Sequence, residues 1–314
     1  MSTLSLVIKD LERLTPRIRR LVLTASDNSP LPEFTPGAHL ELHIPGDKQQ
    51  KRAYSIVNVS AGDHYEIAVQ LDEQSTGGSK WVHGLTIGQT VEVERPRNHF
   101  PLVNDAEHVL LIAGGIGITP MLSMARALAQ SNQTFTLHYA GREAGHMAYL
   151  EEVQCFGDSH CWISGGDSHK RFPAATVLAA PTPGVHLYIC GPNAMMTSVL
   201  QTARESGWPE AQLHYELFAG ALQEQGDQAF EVELTVSGVS LHVAADQSLL
   251  DAMIDAGLDP LFDCRRGDCG VCVTQIISGE ADHRDICLSA RERTDGAFCT
   301  CVSRARSKKL VLEL

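Results

Sequence analysis

A chain of 314 residues is long enough for two or three domains, each with its own core. With 43% hydrophobic and 20% charged residues it has the balance of an ordinary globular protein. The formal net charge of −13 disfavours nucleic acid and anionic membrane as main partners, because both reward clustered Lys and Arg. No basic segment followed by an apolar one opens the chain. The longest apolar run, Leu110 to Leu122, is too short and too glycine-broken to span a bilayer, so the expected location is the cytoplasm.

The first hundred residues read as short strands: Ile18 to Leu23, Leu40 to Ile44, Tyr65 to Val69 and Thr90 to Glu94. Clusters of Pro, Gly, Asn and Asp separate them, which is the pattern of an antiparallel β-barrel. Arg52-Ala53-Tyr54-Ser55 lies among these strands. Thr76-Gly77-Gly78-Ser79 follows and precedes an apolar-periodic stretch from Trp81 to Leu85. Either piece alone reads as a half-exposed strand or a plain turn. Together they suit a flavin phosphate: Arg52 is a bidentate donor, and Gly77, Gly78 and Ser79 offer backbone N–H groups and a hydroxyl at a helix start. Tyr54 would then flank the ring or ribityl chain, and the Ser55 hydroxyl would reach the flavin N5.

From residue 105 the texture changes to alternating strand and helix. His108 to Ala113 is an apolar run ending in Gly114-Gly115-Ile116-Gly117-Ile118-Thr119-Pro120, and Met121 to Gln130 has helical periodicity. Thr119 is expected to N-cap that helix and Pro120 to take its first position. A strand, a glycine turn and a helix start form the arrangement that receives a dinucleotide pyrophosphate. Pro120 stands where G-x-G-x-x-G has its third glycine, which disfavours an ordinary Rossmann dehydrogenase.

Further strands are expected at Phe135 to Tyr139 and Val185 to Cys190. The second runs into Gly191-Pro192-Asn193-Ala194-Met195 and a helix from Met196 to Glu205. Cys190 is read either as a buried strand-end thiol or as a group beside the nicotinamide. His214-Tyr215-Glu216-Leu217-Phe218 closes this domain, and 223–228 reads as a linker. Residues 230–314 suggest a strand pair (Phe230 to Val236, Ser240 to Val243), a helix near Leu249 to Ala256 and a last strand from Lys309 to Leu314.

Between these lies Cys264-Arg265-Arg266-Gly267-Asp268-Cys269-Gly270-Val271-Cys272, with cysteine spacing C-x4-C-x2-C and Cys301 about thirty residues on. That is plant-type [2Fe-2S] spacing, and Gly267 and Gly270 suit a loop that needs positive φ and close backbone approach to the sulfurs. A structural zinc site would show paired short knuckles, and a disulfide does not suit a cytosolic chain. Cys299 and Cys301 both offer a fourth ligand; Cys301 is preferred because ferredoxin-like sequences place the last ligand just before a short strand. Cys155, Cys161, Cys190 and Cys287 have no framework spacing and are read as reduced thiols.

Across its whole length the chain resembles the phthalate dioxygenase reductase family. The motifs are RAYS at 52–55, GGS at 77–79, GGIGITP at 114–120, CGP at 190–192, the Glu216-x-Phe218 pair, and CRRGDCGVC with SRA at 303–305. The resemblance implies a multidomain protein in three parts: an antiparallel β-barrel flavin domain at 1–103, a parallel-sheet α/β nicotinamide domain at 104–222 and an α+β plant-type ferredoxin domain at 229–314. That order implies FMN rather than FAD. Arg52, Tyr54 and Ser55 would hold the flavin, with Gly77, Gly78 and Ser79 at its phosphate. Gly115, Gly117, Thr119, Pro120, Gly191 and Pro192 would meet the nicotinamide nucleotide. Cys190 and Glu216 would lie near the reacting ring, and Phe218 would cover the flavin until nicotinamide displaces it. The cluster ligands would be Cys264, Cys269, Cys272 and Cys301. The family mostly prefers NADH. Asp167 disfavours a 2′-phosphate by charge, while Lys170 and Arg171 close by act the other way.

The implied activity is that of an NADH-dependent reductase passing electrons through FMN and a [2Fe-2S] cluster to a separate terminal oxygenase. The chain lacks the Cys-x-His half-sites of a Rieske centre, and His138 and His214 read as strand residues, so oxygenation is expected in a partner protein of the Rieske type. The other readings are the same chemistry serving a haem monooxygenase, or a redox-sensing flavo-iron-sulfur protein without turnover.

Overall fold

The computed structural model describes residues 3–27, 29–46, 50–73, 77–218, 227–263, 265–267 and 269–314. The chain divides into two compact units, Met1–Glu216 and Leu217–Leu314. Cys264, Thr76 and most of the expected linker lie outside the described residues.

The first unit begins with six strands: β1 (Leu4–Thr15), β2 (Ile18–Ala25), β3 (His39–Ile44), β4 (Gln50–Ser55), β5 (Tyr65–Gln70) and β6 (Thr90–Val93). They form one antiparallel sheet in the order β4-β3-β6-β1-β2-β5. An antiparallel bridge between Ile56 and Ile67 brings its two edges together, so the sheet curls into a barrel. Alternation does the folding here. Leu21 and Leu23, Leu40 and Leu42, and Tyr65, Ile67 and Val69 point inward with Leu6 and Ile8 to fill one core. A short helix α1 (Gly78–Gly84) lies beside β4 and β5.

The same unit continues with five parallel strands in the order β11-β10-β7-β8-β9: β7 (His108–Gly114), β8 (Phe135–Gly141), β9 (Ser159–Ile163), β10 (Val185–Cys190) and β11 (Leu213–Glu216). The helices are α2 (Ile118–Gln130), α3 (Leu150–Cys155), α4 (Ala174–Val177) and α5 (Asn193–Glu205). Near-continuous apolar runs such as Val109 to Ala113 are buried on both faces, as a parallel sheet requires. The barrel and this sheet share a core, in which Ile18, Val57, Ala68 and Phe100 pack with Met121 and Met124. Polar contacts cross the same seam. Arg126 donates to Val57 O at 3.0 Å and chelates Glu152 through Nε and Nη2 at 2.7 and 2.8 Å. Ser123 donates to Asn58 O, and the Tyr149 hydroxyl to Glu66.

The second unit is a five-stranded sheet, β13-β12-β18-β14-β16, plus a two-stranded ribbon of β15 and β17. Its strands are β12 (Phe230–Leu234), β13 (Val239–Val243), β14 (Val273–Ser278), β15 (Ala281–Asp282), β16 (Ala297–Cys299), β17 (Arg304–Ala305) and β18 (Lys309–Glu313); its helices are α6 (Leu249–Asp255) and α7 (Ala290–Thr294). Only β12 and β18 pair in parallel.

Candidate nucleotide and iron-sulfur sites

The strand register explains how distant cysteines meet. Antiparallel pairing of β14 with β16 sets Val273 opposite Cys299, so Cys272, just before β14, falls beside Cys299 and Cys301 at the end of β16. The Thr300 amide and hydroxyl both donate to the Cys272 carbonyl and close the gap. Cys272, Cys299 and Cys301 are buried with their sulfurs within 4.8 Å of one another; the Cys272–Cys299 separation is 3.3 Å and Cys299–Cys301 is 3.9 Å. Hydrogen bonds from Cys299 and then Cys301 pull the Cys272 thiol far below its ordinary range. Three converging thiols are a donor set for an iron-sulfur cluster. Cys299, set aside on sequence grounds, lies within this buried group of sulfurs. Cys269 is exposed on the loop. Gly267 (φ +82°) and Gly270 (φ +72°) take the left-handed conformation expected of them, and a Cβ on Gly267 would lie 2.6 Å from Val302.

The SRA motif braces this region from behind. Arg304 is buried and donates to the carbonyls of Gln247, Ala244 and Gln228, while Ser303 donates to Asp285. Burial opposes ionisation of Asp285, but the neighbouring His283 at 3.5 Å, the Arg293 charge and the hydrogen bond from Ser303 outweigh it and hold the carboxyl down to about 2.

In the first unit, a cleft of about 490 Å³ opens at the carboxyl ends of β7, β8, β9 and β10. Gly114 and Gly115 line its floor, and the main chain beneath them is tightly packed. Gly114 and Gly191 face each other so closely that a Cβ on Gly191 would lie 3.0 Å from Gly114 Cα, and a Cβ on Gly117 would lie 2.2 Å from Cys190 O. Gly115 adopts φ +52°. Pro192, Ala194, Met195 and Ser198 form one wall. The other is made by Trp162, Ser164, Arg171 and Phe172, with Arg142 at the end of β8. Trp162 and Phe172 meet edge to face at 6.1 Å, and the Trp162 indole donates to His138 Nδ1 at 3.2 Å. Burial, with the neighbouring His160 adding to it, lowers the His138 pKa to about 4, which keeps Nδ1 free to accept. A smaller cleft lined by Arg17, Gln70, His146 and Met147 shares Gly115, Gly141 and Arg142 with the first, so Arg142 stands where the two adjoin.

The expected site residues fall into distinct positions. Gly115 and Pro192 line the cleft, whereas Gly117, Thr119 and Pro120 are buried behind it. Thr119 is not the N-cap. A 3-10 turn, Gly115–Gly117, winds directly into α2, so the helix begins at Ile118 and Gly117 is its cap; Thr119 donates its hydroxyl to Ile116 O, and Pro120 is the third helical residue rather than the first. Asp167 is exposed, caps its own turn by accepting from the His169 amide, and does not line the cleft. Cys190 and Glu216 are paired across β10 and β11 and buried, and neither lines the cleft. Phe218 is 39% exposed. On the barrel, Arg52 and Gly78 are brought together: a Cβ on Gly78 would lie 2.8 Å from Arg52 Cγ. Gly77 precedes α1 with φ 131°, and Ser79 accepts from the Asp72 amide. Ser55 is buried, and burial raises the Tyr54 pKa to about 12 against the opposing effect of Arg52. Sequence reasoning missed Arg142, Trp162, Ser164 and Phe172 as cleft residues. Their signal is positional, since each lies at or just after the carboxyl end of β8 or β9 or in the loop beyond it.

A barrel beside a parallel sheet with a glycine-floored cleft, followed by a cysteine-bearing α+β unit, defines a modular iron-sulfur reductase. Residues 232–306 match the 2Fe-2S iron-sulfur cluster binding domain, and residues 94–213 match the dimethylamine monooxygenase subunit DmmA-like N-terminal domain. Vanillate O-demethylase oxidoreductase of Pseudomonas sp. (strain HR199 / DSM 7063) is 40% identical over 318 residues, covering 99% of this chain and all of the relative. The heme-dependent oxidative N-demethylase beta subunit of Ectopseudomonas mendocina (strain ymp) is 40% identical over 319 residues, covering both chains completely. The solved structure of phthalate dioxygenase reductase, a modular structure for electron transfer from pyridine nucleotides to [2Fe-2S], superposes with a TM-score of 0.74 at 37% identity, covering 100% of this chain and 98% of that one. The chain belongs to the phthalate dioxygenase reductase family of oxidoreductases.

Proposed function

We propose that this protein takes hydride from NADH and delivers single electrons, by way of FMN and a [2Fe-2S] cluster, to a separate terminal oxygenase of the Rieske type. The observation that carries the reading is the convergence of Cys272, Cys299 and Cys301 in a chain that also holds a nucleotide cleft. A bound flavin accepts two electrons and releases them singly, and a [2Fe-2S] cluster carries one at a time. The residues of this chain bind and orient. Arg52, Gly77, Gly78 and Ser79 hold the flavin phosphate, while Tyr54 and Ser55 flank the ring system. Gly115 and Arg142 bring backbone N–H and guanidinium groups to the dinucleotide pyrophosphate. The buried Cys190 and Glu216 act by positioning the Gly191-Pro192 turn, and Phe218 covers the flavin. Cys264, Cys269, Cys272 and Cys301 hold the iron, with Cys299 in reserve. The order of domains supports FMN over FAD, with boundaries at 1–103, 104–222 and 229–314.

A second reading, a haem-dependent amine demethylase as acceptor, is favoured by the match at 94–213 and by the N-demethylase relative. Two experiments decide. Anaerobic NADH should bleach flavin and cluster absorbance within the time of turnover; slow or absent bleaching would instead support a sensor. Immobilised reductase should then retain its acceptor from native lysate at low salt, and elution of a haem protein in place of a Rieske oxygenase would overturn the first reading of the partner.

A further inference from the structure

The large cleft has a chemistry that the expected preference for NADH does not fit. A site built for the free 2′-hydroxyl of NAD usually offers a carboxylate there, whereas an arginine accommodates the 2′-phosphate of NADP. Among the described residues, no carboxylate lines this cleft. The acid expected to discriminate, Asp167, is turned to its own loop, with its side chain engaged by the His169 amide. Arg171 lines the cleft instead, together with Ser164, whose hydroxyl oxygen accepts from the Gly166 amide at 3.5 Å and keeps its proton to donate, and with the Trp162–Phe172 pair, whose edge-to-face rings make an apolar wall for an adenine. Arg171 is exposed, and among the described residues it makes no ion pair. The second cleft arginine is Arg142, just after β8. It is shared with the adjoining smaller cleft and lies with Gly115 and Gly141, where a pyrophosphate would rest.

We propose that Arg171 and Ser164 form a 2′-phosphate subsite, so that this reductase accepts NADPH at least as readily as NADH. The inference rests on the nucleotide-cleft reading above and changes only the donor. A planar guanidinium can chelate two phosphate oxygens, and a hydroxyl can donate to a third.

The test uses the holoenzyme and a small dye as acceptor, comparing kcat/KM for NADPH and NADH in the native chain, Arg171→Ala and Ser164→Asp. Alongside, calorimetry compares binding of 2′,5′-ADP and 5′-ADP. The native chain should favour NADPH or show no preference, and should bind 2′,5′-ADP more tightly than 5′-ADP. Arg171→Ala should lower the NADPH-to-NADH ratio of kcat/KM by roughly 10- to 150-fold, the effect of losing hydrogen bonds to a charged group. Ser164→Asp should lower it further by repelling the phosphate. A native preference for NADH above tenfold, or an Arg171→Ala variant in which both nucleotides suffer equally, overturns the subsite. Tighter binding of 2′,5′-ADP without reduction by either nucleotide would uphold the subsite and refute the reductase reading instead.

Discussion

Gly115 and Gly117 are two residues apart, yet substituting each by alanine should fail for opposite reasons. Gly117 already has right-handed helical angles, φ −60° and ψ −5°, so alanine meets no backbone penalty there. Its Cβ would instead stand 2.2 Å from Cys190 O, 2.4 Å from Cys190 C and 2.7 Å from Gly191 N. All three are main-chain atoms at the end of a central strand, so relief requires β7 and β10 to separate. Overpacking of this kind costs typically 1–3 kcal/mol, and backbone on both sides places Gly117→Ala near the upper end, at about 3 kcal/mol. Gly115 is the reverse case, with φ +52° and nothing within 4 Å of the added carbon. Its penalty is the left-handed conformation, about 1–2 kcal/mol, reduced by the smaller entropy of an unfolded alanine. All three tryptophans, Trp81, Trp162 and Trp208, lie in the first unit, so tryptophan fluorescence during heating reports on that unit alone. At about 2–4 °C per kcal/mol, Gly117→Ala should lower its melting temperature by about 6–12 °C and Gly115→Ala by about 2–4 °C. Gly117→Ala should also widen the cleft floor and weaken nucleotide binding. An ordering in which Gly115→Ala is the more damaging, or a Gly117→Ala melt within 2 °C of the native chain, would refute the close-approach argument.

Arg126→Ala removes a chelated carboxylate and a carbonyl contact at the seam of barrel and sheet, and should cost roughly 2–3 kcal/mol in urea unfolding followed by the same fluorescence. An unchanged midpoint would mean that the seam is held by its apolar contacts alone. Cys272→Ser should purify with little iron yet retain nicotinamide-driven dye reduction; if dye reduction vanishes too, the centres are not arranged in series. Iron analysis of Cys299→Ala and Cys301→Ala identifies the fourth ligand, with Cys301→Ala expected to lose the metal and Cys299→Ala to keep it. For pH, His138 and His214 are both lowered to about 4, chiefly by burial, so the unfolded chain binds more protons than the folded one between about pH 6.5 and 4. Stability of the first unit should therefore be full above that window and fall on acidification through it, by at most about 1.4 kcal/mol per pH unit for each histidine. A urea midpoint unchanged between pH 7 and 5 would remove both groups from the account.

What the sequence disclosed depended on how local each signal was. Val185–Cys190 is read off to the residue because an apolar run bounded by glycine on both sides admits one solution, and the antiparallel strands follow from alternation. The longest strand, Leu4–Thr15, gave no such signal: Lys9, Asp10, Glu12 and Arg13 interrupt it, and it exists because it pairs with β2 on one side and β6 on the other. Ser159–Ile163 is likewise a strand by virtue of its neighbour β8. The glycine turns and cysteine spacing were legible because each is a contiguous chemical requirement. The cap of α2 was misplaced because no residue pattern announces the 3-10 turn that precedes it. The cleft wall of Arg142, Trp162, Ser164, Arg171 and Phe172 draws on separate strand ends and loops, and only the parallel order of β7, β8 and β9 assembles it.

The main-chain floor of that cleft also bears on how the protein can change. Where Gly114, Gly117 and Gly191 meet there is no room for any side chain, so selection has almost no variation to act upon and the footing of the dinucleotide is effectively frozen. The loop from Ser164 to Phe172 has the opposite character: it is largely open, and only Gly165 (φ +58°) and Gly166 (φ +89°) are tied to glycine by their left-handed backbone. A lineage adapting to a different cellular supply of reducing power would accumulate its substitutions there. A directed-evolution library aimed at coenzyme choice would be best spent on the other seven positions of that loop and would gain nothing from the floor.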